Sequence, residues 1–117
     1  MTGLVTERQR IQHLLRRAAF GYSSAELEEY LALGLDGTIE RLLAPELVDD
    51  TTAEVALAEQ ELDFKNTIDV MRAWNLRIQH TRRPLVERMT VFWHGHFACS
   101  FKKARRGLMH LQNQTLR

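Results

Sequence analysis

The densest group of chemically active side chains lies in the stretch WHGHFACS, residues 93–100. Imidazole and thiolate groups are common zinc ligands, so His94, His96 and Cys99 are the candidate metal ligands. In a regular helix each residue turns the chain by about 100°, which points His94 and His96 toward nearly opposite faces. They would converge only if Gly95 broke the helix, and a zinc site needs three or four ligands. We therefore expect no metal site here, and the sequence identifies no cofactor.

A second candidate group pairs a carboxylate with one of these imidazoles. Glu87 lies seven residues before His94, two helical turns along the same face. A carboxylate in that position can orient an imidazole, and such a pair would serve general acid/base catalysis if it lined a cleft. An ordinary polar contact within one helix is the commoner origin of this spacing. Glu87 and His94 are thus the candidate catalytic residues, with no reaction assigned.

Further polar candidates lie near the two ends of the chain. His13 and Arg17 are one helical turn apart, and we expect them to anchor the first helix on a later one through buried hydrogen bonds. Gln112 and Asn113 form a polar edge on the last helix, where amides often bond to loop backbone. The other polar candidates, within the stretch that also holds Glu87 and His94, are Arg88 and Trp93.

These residues must be positioned by helices, because the apolar residues repeat with a period of 3.6 along most of the chain. Thr6 with Gln9 and Ser23 with Glu26 are capping boxes, which start helices near residues 7 and 24. The spacing predicts a first helix over about 7–19, a second that ends at Gly34, and a short third helix capped by Asp36.

The second half of the chain continues the helical pattern after an acidic connector. Helical spacing resumes near residue 55, as one long helix or as two with a break near Asn66. Pro84 suits the first turn of the next helix, where Leu85, Met89, Phe92, Trp93 and His96 fall on one broad face. The last helix starts near Arg105, with Leu108, Leu111 and Thr115 on one side.

The predicted fold class is all-α, an irregular array of about five to six helices that is an incomplete part of a larger helical domain. We treat residues 1–117 as a single helical region. Residues 1–44 form three short helices, residues 45–65 an acidic connector with the start of a helix, and residues 66–117 a basic helical part that contains WHGHF.

Charge is unevenly distributed, although the net charge is only +1. Residues 42–64 hold seven acidic and no basic side chains, whereas residues 65–117 hold eleven basic and two acidic ones. Segments of opposite sign often face each other, and the alternative is a basic surface for nucleic acid or an acidic partner. We expect the two segments to pair, and we do not expect nucleic acid to be a partner.

Targeting signals are not evident in this sequence. The first 25 residues lack the apolar core of a signal peptide, and no apolar run approaches the roughly 18 residues of a membrane-spanning helix. The location therefore stays unknown, with the cytoplasm as the default.

Several segments together resemble a known family: HLLRRAAFG at 13–21, RPLVERMTVFWHGHFACS at 83–100 and LMHLQNQTLR at 108–117. In this combination and order they resemble the N-terminal part of DUF1800, a large bacterial family of uncharacterised proteins. The segment at 23–45 also looks like that family's second block. Members are typically several hundred residues long, are often exported and are commonly encoded beside a sulfatase-like partner family.

The resemblance implies an identity without a mechanism, because no activity is settled for the family. We expect an N-terminal helical fragment with no self-contained catalytic site, whose exposed aromatic residues Phe92, Trp93 and Phe97 favour self-association. Two alternatives remain open. In the first, the chain is part of a metal- or acid/base-dependent active site completed by a missing C-terminal region. In the second, it is a basic helical module that binds nucleic acid or an acidic partner. Whether it is an enzyme is left open.

Overall fold

Helices account for all regular secondary structure in the residues that the computed structural model describes, 5–96 and 106–117. The predicted all-α class is confirmed. The helices are α1 (Glu7–Ala18), α2 (Ser24–Leu43), α3 (Thr51–Ala58), α4 (Thr67–His80), α5 (Pro84–His96) and α6 (Arg106–Leu116). A single 3₁₀ turn, Pro45–Leu47, follows α2.

α1 and α2 form a helical hairpin whose starts are fixed locally. Both predicted capping boxes are present, because the Thr6 and Ser23 hydroxyls accept the N3 backbone N–H groups while Gln9 and Glu26 bond back to the caps. Gly21 adopts a φ of 112° in the turn between the helices, a conformation that favours glycine. The main buried cluster lies between the two helices and consists of Ile11, Leu15, Leu27 and Tyr30.

α2 is kinked at the residue where the sequence predicts its end. Gly34 has φ 72° and ψ 178°, which are not helical values, so α2 consists of two helical segments that meet at a kink there, as the sequence predicts. Asp36 was the predicted cap, but the Glu7 carboxylate of α1 accepts the Leu35 N–H at 2.9 Å. Thr38, fully buried, donates its hydroxyl to the Gly34 carbonyl at 2.7 Å and stabilises the kink from inside.

The sequence leaves open whether one long helix or two helices follow the acidic connector, and the structure has two, α3 and α4. Asn66 caps α4, and its side-chain oxygen accepts the Ile68 N–H at 2.9 Å. α3 packs against α4, and the small buried side chains of Ala53 and Ala73 allow the two helices to approach closely.

The buried face of α5 differs from the broad apolar face that the sequence suggests. Met89 and Phe92 are exposed, Phe92 by 56%, whereas Glu87 and Thr90 are exposed by only 2% and 0%. The physical reason is the packing of α5 on α6, α1 and α2, because the side that holds Glu87 and Thr90 is the covered one. Polar side chains therefore occupy the interior side of α5.

The acidic and basic segments make contact at specific residues. The Arg77 guanidinium of α4 donates to the Glu54 carboxylate of α3 at 2.7 Å. Asp50, which is buried, accepts the Thr81 hydroxyl and the Arg82 N–H at the turn between α4 and α5. These contacts join the acidic connector to the basic half, as the charge pattern predicts.

Candidate functional site

Among the residues whose burial is described, Glu87 is the most deeply buried charged side chain, and three helices converge on it. Arg117, just after α6, donates from Nε to Oε1 at 2.7 Å and from Nη2 to Oε2 at 3.1 Å. The Trp74 indole Nε1 of α4 donates to Oε2 at 3.2 Å. We name Trp74, Glu87 and Arg117 the Glu87 clasp.

The clasp is formed by the local structure of α5. Pro84 starts the helix, which places Glu87 in its first turn, where the helix dipole favours a negative charge. Thr90, one turn later, bonds its hydroxyl to the Val86 carbonyl at 2.8 Å and so needs no other partner. The same buried side of α5 therefore presents a carboxylate toward α4 and α6.

Electrostatics explain why the clasp needs this geometry. The Glu87 and Arg117 side chains are exposed by only 2% and 14%, so both charges are removed from most of their hydration. Such a desolvation cost, several kcal/mol per ion, is balanced only when the hydrogen-bond geometry is good. The two parallel N–H···O bonds from a planar guanidinium provide that geometry, and Trp74 adds a third donor.

A second polar pair lies beside the clasp. His94 Nε2 donates to Asn113 Oδ1 at 2.9 Å, and Asn113 is buried. The Trp74 and His94 rings lie 4.9 Å apart, centroid to centroid. The indole therefore contacts both the Glu87 carboxylate and the His94 ring. Glu87 and His94, the predicted acid/base pair, thus bond to different partners. The amide of Asn113 contacts a side chain, although loop backbone was its expected partner.

The two histidines of the WHGHF segment remain apart. Gly95 lies inside α5, so the helix continues unbroken to His96 and the condition for convergence is not met. His96 contacts the rings of Phe92 and Trp93, with centroids 6.2 and 6.0 Å away, whereas His94 faces Trp74. Within the described ranges, no group of three or more His, Cys, Asp or Glu side chains is arranged to hold a metal ion.

Other predicted positions are only partly covered by the structure. Phe97, Cys99 and the basic residues Lys102, Lys103 and Arg105 lie outside the described residues. Gln112 is half-buried on α6. The Arg88 guanidinium lies over the Phe20 ring, 5.4 Å from its centroid, and so connects α5 to the end of α1.

The expected anchoring of α1 through His13 and Arg17 is wrong. Both side chains are exposed on the outer face of α1. α1 is instead attached by the apolar residues Ile11 and Leu15, which are almost completely buried. The one-turn spacing of His13 and Arg17 indicates a shared face, but it cannot tell which face the neighbouring helices cover.

Sequence reasoning missed the partners of Glu87. Trp74 lies within the apolar helical pattern and Arg117 lies just beyond the polar edge of Gln112 and Asn113, so neither position marks a partner of Glu87 in the sequence. One signal was present, since Glu87 is one of only two acidic residues among eleven basic ones in 65–117. A lone carboxylate in such surroundings favours a guanidinium partner, but the pattern does not identify which one.

Two groups close to the clasp have altered proton affinities. Burial lowers the pKa of His110 on α6, whose ring stacks on Phe64 with centroids 4.1 Å apart. The hydrogen bond from Arg77 lowers the pKa of Glu54 below its ordinary value of 4.5. The fold thus favours a neutral imidazole and an ionised carboxylate at these positions.

A cavity of about 320 Å³ opens beside the clasp. Its wall includes Arg77, Glu54 and Asp50, all of which bond to other protein groups. Glu87 and Arg117 also contribute, but their mutual hydrogen bonds occupy both carboxylate oxygens. These five charged groups of the cavity wall are therefore already bonded to protein groups.

Comparison with known proteins gives one match. The model of a family described as "Protein of unknown function (DUF1800)" matches residues 13–117. No curated protein and no solved structure matches the chain. Among the described residues, no helix has the length and apolar character needed to cross a membrane.

Proposed function

Since the chain belongs to the DUF1800 family, whose function is unknown, we propose that its described helices act as a structural module held together by the Glu87 clasp. In this proposal Glu87 fixes α6 against α4 and α5 and performs no chemistry of its own. The observation that carries it is the bonding of the buried carboxylate to protein donors. Both oxygens accept hydrogen bonds from protein donors, and the residue is exposed by only 2%.

A catalytic role would require different surroundings. A general acid or base must come within hydrogen-bond reach of the group whose proton it transfers. Among the described residues, the hydrogen-bond partners of the Glu87 side chain are Trp74 and Arg117, and the imidazole of His94 bonds to Asn113. The geometry thus favours a structural role for the predicted catalytic pair over a metal- or acid/base-dependent site.

Substitution of Glu87 by Gln tests the structural role. Glutamine keeps the size of the side chain but removes its charge, and we expect hydrogen exchange of the α6 amides to accelerate while exchange in α1 stays unchanged. The matched control is Glu28→Gln, which alters an exposed carboxylate that pairs with Arg8. Unchanged exchange in α6 of a folded Glu87→Gln protein would contradict the proposal.

We further propose that the chain associates with a second copy of itself through the outer side of α5 and α6. Met89 and Phe92 on α5 and Leu108 and Leu111 on α6 are exposed by 41% to 59%. The two helices pack on each other, so one partner surface can cover apolar side chains from both. Burial of a large apolar side chain contributes about 1.5 to 3 kcal/mol, which favours association.

Sedimentation velocity over a concentration series tests this association. We expect the mass to rise with concentration in the unaltered chain, and Phe92→Ser with Leu111→Ser to shift it toward the monomer. Val55→Ser, which changes an exposed apolar side chain on α3, serves as the control. A monomer throughout the series would overturn the proposal.

We also propose that nucleic acid is not a partner. Arg77 and Arg117 of the basic half already pair with carboxylates of the same chain, and each of these two side chains is only 14% exposed. Such pairing reduces the positive charge available to phosphate groups. Tight binding of a random DNA duplex at physiological salt would refute this expectation.

A further inference from the structure

We propose that a groove between the α1–α2 hairpin and the turn from α4 to α5 binds a small organic carboxylate with a flat apolar body. The groove has a volume of about 470 Å³ and lies on another part of the molecule from the Glu87 clasp. We name it the Tyr30 groove. Its main contributors are Leu15, Phe20, Tyr30, Arg41, Ile78 and Arg82.

The groove offers an apolar floor of suitable size. Leu15 and Ala19 of α1 are buried and belong to its lining, as does Ile78 of α4. Phe20 and Tyr22 add aromatic surface at the end of α1. Sites for small molecules commonly have about this volume, with apolar walls and a few polar groups that set orientation.

Tyr30 contributes a polar atom at the floor. The residue is exposed by only 7%, and its hydroxyl makes no hydrogen bond to any group of the described chain. Yet every fully buried side-chain polar atom in that part of the chain has a partner. The hydroxyl oxygen must therefore be reached by solvent, and the groove that Tyr30 lines provides the access. Burial also raises the pKa of Tyr30, which keeps the hydroxyl a hydrogen-bond donor at neutral pH.

Two guanidinium groups belong to the lining and make few bonds of their own. Arg41 lies over the Tyr30 ring at 5.1 Å from its centroid, and both Arg41 and Arg82 pair with one oxygen of Glu29, at 3.6 and 3.0 Å. A guanidinium carries five N–H donors, so each group keeps several for another acceptor. Arg82 is about half exposed and can turn toward the groove.

The charges of the lining favour an anion with a single carboxylate. Glu26 also lines the groove, but its carboxylate accepts the Ser23 N–H at the start of α2 and is directed to that cap. Glu29 is shared by the two arginines. A planar carboxylate matches the two parallel donors of a guanidinium, and a flat apolar body matches the aromatic side chains. A polyanion would meet the repulsion of both glutamates.

The probe is 1-naphthoate, added to the isotope-labelled 117-residue chain and followed by amide chemical shifts. We expect saturable shifts at residues that line the groove, with a Kd on the order of 1 mM for a ligand of this size. Loss of a charge-assisted hydrogen bond in Arg82→Gln should weaken binding by about 10-fold or more. Loss of the hydroxyl in Tyr30→Phe should weaken it by about 3-fold to 10-fold.

Two controls distinguish specific recognition of the carboxylate from nonspecific hydrophobic binding. Arg72→Gln removes an exposed arginine of α4 that does not line the groove, and it should leave the Kd unchanged. The neutral isostere 1-naphthalenemethanol should bind more weakly than the carboxylate. Thermal unfolding establishes that each variant is folded.

Four results would overturn the proposal. One is the absence of shifts in the folded chain at about 10 mM probe, well above the expected Kd. Another is equal binding of the acid and the alcohol, which would indicate nonspecific hydrophobic binding alone. The third is an equal effect of Arg82→Gln and Arg72→Gln, and the fourth is shifts located away from the groove.

Discussion

Replacement of Arg117 by Leu should strongly destabilise the attachment of α6. The substitution leaves the Glu87 carboxylate buried with Trp74 as its remaining donor, since the two guanidinium bonds at 2.7 and 3.1 Å are lost. Removal of one partner of a buried ion pair typically costs about 3 to 5 kcal/mol, because the other charge stays desolvated. The expected loss is a large share of the roughly 5 to 15 kcal/mol that stabilises a domain.

The assay is urea unfolding, followed by far-UV circular dichroism, of a matched set of variants. Arg72→Leu breaks an exposed pair with Asp69, where the arginine side chain is 68% exposed, and should cost about 0 to 1 kcal/mol. The double variant Glu87→Leu with Arg117→Leu should recover much of the loss, because it removes both buried charges. Equal effects of Arg117→Leu and Arg72→Leu would refute the reasoning, since they would mean that Glu87 is hydrated in solution.

Four other predictions concern the backbone and the response to pH. Gly34→Ala should cost about 1 to 3 kcal/mol, because φ 72° with ψ 178° is accessible almost only to glycine. Gly95→Ala, inside α5 with open space around it, should instead stabilise by about 0.5 to 1 kcal/mol, and the opposite order of melting temperatures would contradict both values. The lowered pKa of His110 means that its contribution to stability is present above pH 6.5 and is lost as the pH falls through the folded pKa. His110→Phe should therefore make the melting temperature depend less on pH across that range. An unaltered dependence on pH would count against this prediction. The pKa of Glu54 is lowered mainly by its bond to Arg77, so its contribution to stability is present above pH 4.5 and is lost in more acidic solution. Glu54→Gln should therefore reduce the fall of the melting temperature at acidic pH. An unchanged fall would show that the bond does not persist.

The local sequence determined the helices and the family. Capping boxes at Thr6 and Ser23, a proline at position 84 and apolar residues at a period of 3.6 act within one or two turns, so they hold whatever the helices pack against. The motifs that resemble DUF1800 lie in the region that the family model matches. The expected break at Gly34 was also local, since few other residues adopt its backbone conformation.

Only the tertiary structure decided which faces are buried and which polar groups meet. The sequence places Phe92 and Glu87 on the same helix, but α6 lies against the side that holds Glu87 and leaves Phe92 exposed. The partners Trp74 and Arg117 are 13 and 30 positions away from Glu87. Helical periodicity shows which residues share a face of one helix, but it gives no information on how that helix is rotated against its neighbours. The rotation is set by the packing of whole helices, which is why His94 contacts Asn113 and not the carboxylate two turns before it.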